Sequence, residues 1–180
     1  RTRGSTKTSV ASPRRGELVA SGLPTLPALP LLPALPVKAE NPCLAHACSA
    51  CCHDIEMILT HADLARLQAA RPGEEFWFQA PDGYLQLHTR DGPPARGGAG
   101  RPCWFLLEDG RCGVHDARPE GCRLYPAFFD EEVRRAALDD IYCPHTDGFQ
   151  LPHAHADAVA RLAKRLKEEL RQRRMGGGAP

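Results

Sequence analysis

The sequence predicts an α+β fold, small and irregular and closed by a C-terminal helix, and three observations predict it. Two stretches, "LTHADLARLQAA" and roughly residues 155–174, carry apolar residues at helical spacing. Between them lie short runs broken by Pro81-Asp82-Gly83 and Asp109-Gly110, which suit brief strands and hairpins. All eight cysteines fall between Cys43 and Cys143, while aromatics make up 6% of the chain and cluster between Phe76 and Tyr142. A core with so few aromatics is marginal, and a domain of this kind needs a further source of stability.

The elements follow in order. Residues 1–22 are rich in Ser, Thr, Arg and Gly and read as disordered. In "LPTLPALPLLPALP" the prolines Pro24, Pro27, Pro30, Pro33 and Pro36 recur every third residue, as do the leucines Leu23 to Leu35. Polyproline II has three residues per turn at about 3.1 Å each, so this stretch reads as a stiff rod on the order of 40 Å. Residues 1–40 are thus a disordered proline-rich arm, expected to be dispensable for folding. The cysteine-rich domain spans 41–150. Within it Thr60 is a helix N-cap with Asp63 at the third helical position, Leu59 can staple to Leu64, and Pro72-Gly73 ends the helix. "FWFQAPDGYLQLHT" reads as two short strands, "DGPPARGGAGRP" as a mobile loop, and "CWFLLEDGRCGVH" as a hairpin. Pro119 begins a short helix carrying Cys122, and "AFFDEEVRRAALDD" fits strand or helix. Val159, Leu162, Leu166 and Leu170 form the docking stripe of a basic amphipathic helix in the last segment, 151–180.

Composition removes several functions. Net charge is +1, which argues for neither nucleic acid nor an anionic membrane as partner. No apolar run reaches the about eighteen residues of a membrane span. Arg14-Arg15 has the look of a twin-arginine export signal, but the apolar stretch beyond Glu17 is broken by prolines, so the expected compartment is the cytoplasm. There is no Ser–His–Asp set, Gly-rich phosphate loop or dinucleotide fingerprint, and whether the chain is an enzyme stays open.

The chemistry lies in the cysteines. Cys51 and Cys52 are adjacent and can hardly bond to each other, and a reducing compartment disfavours structural disulfides elsewhere. Metal ligation fits better, because thiolates are soft ligands for zinc and iron. Cys48-x-x-Cys51 has the spacing that lets two sulfurs face one ion, and Cys43 can close the same loop. Adjacency of Cys52 suggests either two metals or a multi-metal cluster. Three thiols on one turn need partners from far along the chain: Cys103, Cys112 and Cys122, with Cys43 and Cys143 completing the set. The domain is therefore expected to be organised around bound metal, zinc or iron, an iron–sulfur cluster included.

Cys43-x4-Cys48-x-x-Cys51-Cys52, "ILTHADLARL", "CWFLLEDGRCGVHDARPEGCRLYP" and Cys143 together resemble the YkgJ-type cysteine-cluster family over roughly residues 43–143. The resemblance implies a zinc- or iron-chelating domain with all eight cysteines on pattern positions. His115 stands where such sequences often carry an aromatic.

His46, His53, His115 and His145 lie close enough in sequence to cysteines to complete a shell. Arg111, Arg118 and Arg123 could offset the charge of about −2 that four thiolates leave on a divalent ion. Asp63 reads as a cap rather than a ligand. The function expected is a metal-binding cysteine-cluster protein. One alternative is an iron or iron–sulfur enzyme of redox or modification chemistry. Another is a zinc-stabilised adaptor whose basic helix, Arg161 to Arg174, binds protein or nucleic acid. That helix lacks interleaved aromatics, so a solvated charged face is the better reading.

Overall fold

A computed structural model describes residues 33–38 and 41–176. The N-terminal disorder and most of the proline rod lie outside the described residues. The helices are α1 (Pro42–Ala45), α2 (His61–Ala70), α3 (Glu120–Leu124) and α4 (His153–Met175). The strands are β1 (Ile58–Leu59), β2 (Trp77–Gln79), β3 (Leu85–Leu87), β4 (Ala127–Asp130) and β5 (Arg135–Leu138). This is the expected α+β class with its C-terminal helix. No helix among the described residues is long and apolar enough to cross a membrane.

Strands β1, β3 and β2 form one antiparallel sheet in that order, and β4 and β5 form a separate hairpin. Helix α2 starts as its sequence dictates. Thr60 Oγ1 accepts the Asp63 N–H at 3.0 Å, and Asp63 Oδ2 accepts the Thr60 N–H at 3.1 Å. This reciprocal pair satisfies donors that the first helical turn would otherwise orphan. Leu59 and Leu64, on either side of the cap, are both buried in one cluster with Leu67, Phe76, Leu85 and Phe105. The Phe76 and Phe105 rings meet at 5.1 Å in a tilted arrangement.

A second cluster forms around Leu124, Ala127, Phe149, Ala158 and Val159. Helix α4 covers it with Val159 and Leu162, while Leu166 is half-buried and Leu170 buried further along the stripe. Its charges are largely engaged within the chain. Arg165 meets the buried Glu120 at 3.0 Å, and Glu169 accepts the His61 N–H at 2.9 Å. Arg173 Nε and Arg174 Nη2 donate to the carbonyls of Gly83 and Asp82 at 3.2 and 2.7 Å.

Three local readings change. Residues 33–38, assigned by sequence to the disordered arm, lie on the domain: Leu35 is 5% exposed within the second cluster. Its N–H donates to Arg123 O at 3.1 Å, Gln150 N–H donates to Pro36 O at 3.0 Å, and Val37 bridges Phe149. Extended proline-rich backbone keeps its carbonyls free, and here neighbouring segments use them. The ambiguous 127–138 stretch is a β-hairpin, since Phe129, Ala136 and Leu138 pack against the second cluster while Phe128 stays exposed. The 91–102 segment, read as mobile, is pinned. Gly97 O accepts the Ser49 N–H at 2.9 Å, and Arg101 O accepts the Asp54 N–H at 2.8 Å. Gly98 lies so close to His53 that a Cβ there would overlap its ring.

Candidate metal centre

The eight cysteines come from separate stretches of chain, all are free thiols, and they act on one another electrostatically. Cys43 sits in α1, where Asn41 Oδ1 accepts the Cys43 N–H at 2.9 Å and Pro42 occupies the first turn. Cys48 N–H then donates to Cys43 O at 2.9 Å, closing the loop expected from their spacing. Ala50–Cys52 form a single 3-10 turn, closed by Cys52 N–H to Ser49 O at 2.8 Å. Ser49 is buried, and its hydroxyl donates to Arg96 O at 2.7 Å.

The second block is drawn in by backbone pairing. Cys103 N–H donates to Cys52 O at 2.7 Å, and Cys103 also bridges Thr89. The hairpin at Asp109-Gly110 exists as a bridge between Leu106 and Cys112, with Leu107 N–H donating to Arg111 O at 2.8 Å. Cys122 rides on α3, whose Glu120 N–H donates to Asp63 Oδ1 at 2.9 Å. Cys143 follows a turn in which Asp139 Oδ1 accepts the N–H groups of Ile141 and Tyr142 at 3.1 and 2.9 Å. Thr146 Oγ1 donates to Cys143 O at 2.7 Å.

The thiols perturb one another. Burial pushes Cys43 up to about 11, reinforced by the charges of Cys51, Cys48 and Cys143. Burial also raises Cys143, against the opposing N–H of His145 and the Thr146 hydroxyl, and Cys51 and Cys48 add to the rise. The hydrogen bond between the Cys51 and Cys52 thiols lowers Cys51 and raises Cys52, and burial, Cys51, Cys122 and Cys103 push Cys52 further up. Burial lifts Cys103 to about 11, opposed by the Phe105 N–H and Arg90 and helped by Cys112. Burial raises Cys122 as well, with Cys103, Cys112 and Cys51 acting in the same direction. The raised thiols, Cys43 and Cys103 among them, are neutral at pH 7 until a cation takes the place of their protons. Among the described residues no three His, Cys, Asp or Glu side chains are grouped as an ion would hold them. The donor chemistry still fits a thiophilic metal: eight unpaired soft donors, several of them on backbone fixed by its own hydrogen bonds.

The histidines divide. His53 is 8% exposed and both ring nitrogens are engaged, Nδ1 with Ser49 O at 3.0 Å and Nε2 accepting the Ala95 N–H at 3.1 Å. It is a neutral tie between two loops, with no lone pair left for an ion. His115 is exposed and meets Arg118 at 3.0 Å. His46 and His145 stack at 4.2 Å, joining the Cys43 and Cys143 loops. Among the arginines, Arg111 is exposed and paired with Asp109 at 2.7 Å. Arg118 does face the cysteines, opposing the rise that burial imposes on Cys112. Arg71 and Arg90, which no local spacing marks, act on Cys112 and Cys103 in the same sense. Asp63 is fully buried and serves as the cap expected of it.

Comparison with known proteins gives one result. The family model CxxCxxCC, described as "Putative zinc- or iron-chelating domain", matches residues 42–144, more than half of the 180 residues. No curated protein and no solved structure matches. The matched range opens one residue before Cys43 and closes one after Cys143, so it takes in all eight thiols, and the chain belongs to the CxxCxxCC family.

Proposed function

We propose that this chain is a metal protein of the cytoplasm, or another reducing compartment, that holds zinc or iron on Cys43, Cys48, Cys51, Cys52, Cys103, Cys112, Cys122 and Cys143. The reading is supported by one observation: eight unpaired thiols from five stretches of chain act on one another's ionisation, and five of them lie in or against two small hydrophobic clusters. Neither cluster is large, and ligands some fifty residues apart in sequence would be cross-linked by a bound ion. Binding of this kind is folding free energy, on the order of 10 kcal/mol for structural zinc in small domains. A bound ion supplies that cross-link and draws off thiol protons. The chain's own residues position the sulfurs (Asn41, Ser49, Asp63 and Asp139 through their hydrogen bonds) and offset charge (Arg71, Arg90 and Arg118). An iron-dependent reaction would need a ligand position open to substrate, and an adaptor would need a binding face; the gathering of thiols is explained without either.

The test is elemental analysis of anaerobically purified full chain. Bound zinc or iron, reduced in Cys51→Ser and Cys122→Ser together with thermal stability, is the expected result. Iron would colour the protein and zinc would leave it colourless. A metal-free protein whose eight thiols all react freely with a thiol reagent in the native state overturns the reading.

A further inference from the structure

We propose that the eight thiols form two separate four-thiol centres, each for one thiophilic divalent cation such as zinc or ferrous iron. Cys43, Cys48, Cys51 and Cys143 make the first, and Cys52, Cys103, Cys112 and Cys122 the second. The divide is the peptide bond between Cys51 and Cys52. This rests on the reading that the thiols bind metal, and adds their number and partition.

The hydrophobic packing draws the same line. Cys143 belongs to the second cluster with Leu35 and Phe149, and Cys43 packs against that cluster. Cys103 belongs to the first with Phe105 and Leu106, and Cys52 and Cys112 pack against that one. Backbone hydrogen bonds stay within each group: Cys48 to Cys43 in one, Cys103 to Cys52 and Leu106 to Cys103 in the other. Charge influence among the sulfurs agrees. Cys48, Cys51 and Cys143 act on Cys43, whereas Cys103 and Cys112 act on Cys122, and Cys103 and Cys122 on Cys52. The links across the divide run through Cys51, which is hydrogen-bonded to Cys52 and acts on Cys122.

The local backbone explains how neighbours in sequence can serve different ions. Ala50–Cys52 is a 3-10 turn with about three residues per turn, so consecutive side chains leave its axis roughly 120° apart. One tetrahedral ion would have to take both sulfurs from adjacent positions of a single turn, whereas two ions let each be held with its own distant partners. The hydrogen bond between the two thiols is lost only when both sulfurs ligate as thiolates and both protons have left. Charge also favours separation. Eight thiolates around a single ion would leave a net charge near −6, whereas two tetrathiolate ions carry about −2 each. Arg90 beside Cys103 and Arg71 and Arg118 beside Cys112 offset the second of these.

Zinc titration of reduced, metal-free full chain tests this, read by bound zinc per chain and by mass-spectrometric mapping of alkylated cysteines. The wild type should saturate at two zinc ions. Cys43→Ser/Cys143→Ser should hold one, with Cys52, Cys103, Cys112 and Cys122 still protected. Cys103→Ser/Cys112→Ser should hold one, with Cys48 and Cys51 still protected. Saturation at one ion, or loss of all zinc from a variant that remains folded by circular dichroism, means a shared site and overturns the partition while leaving metal binding standing. Should a variant fail to fold, half-loaded wild type decides. Protection of one complete set of four in each molecule supports two centres, and protected sets that mix members of both overturn them. A wild type that binds no zinc and purifies without iron overturns the underlying reading itself.

Discussion

Cys43 and Cys103, both lifted to about 11 chiefly by burial, set how the metal-free domain responds to alkali. A thiol raised above its ordinary 9.0 favours the folded state while neutral, so that contribution is complete below pH 9 and is lost as pH climbs through about 11. Tyr125, raised by burial and by Asp139, acts in the same direction. Urea melts of the chelated protein at pH 8, 9.5 and 11 should show stability falling stepwise, and Cys43→Ser should flatten the fall; a rise over that range refutes it. The eight thiols were legible because cysteine spacing is local. The role of His53 was not. It sits beside Cys52 in sequence like a ligand, and only the Ala95 N–H, forty-two residues away, takes up its second nitrogen. Arg71 and Arg90 escaped notice for the same reason: their partners are the carbonyls of Gly113 and Leu106, on a distant hairpin.

At the scale of elements, α2 was readable from its capping box, and the terminal helix from its stripe. What the local rule omits is that Asp63 has a second task. Its other oxygen accepts the Glu120 N–H and meets Arg66, tying the start of α2 to the helix that carries Cys122. Asp63→Ala should therefore cost more than an ordinary cap, about 2–4 kcal/mol by denaturant melting, because a buried amide is orphaned as well. It should also lower bound metal, although Asp63 binds none. Stability and metal content indistinguishable from wild type would show that the tie is idle. The β4–β5 hairpin was ambiguous because its turn carries no glycine. Asp130 Oδ1 makes it instead, accepting the N–H groups of Glu132 and Val133 at 2.9 and 3.2 Å, and Arg134 takes a positive φ of 54°. That chemistry is in the sequence, but a run of charged residues masks it.

For the molecule as a whole, the proline-rich stretch does not end where composition changes. Leu35 fills the second cluster and the backbone around it is hydrogen-bonded to residues 123, 148 and 150. Deleting residues 1–40 should then lower stability by about 2–3 kcal/mol, the worth of one buried leucine with its hydrogen bonds, while deletion of 1–32 should not. Equal melting of the two truncated chains would show that Leu35 contributes nothing. A Leu-Pro repeat offers no register by which one leucine stands out, so Leu35 is not legible in the sequence. The pinned 91–102 segment carries a different consequence. Anyone grafting a tag, a linker or new chain termini onto this protein by composition would choose that glycine-rich stretch. It is the back wall of the Cys48–Cys52 turn, and Gly97 O and Gly98 touch Ser49 and His53 directly. The tolerant place for an insertion is the charged turn at Glu131–Arg134, where Val133 is 54% exposed and no cysteine is near in sequence.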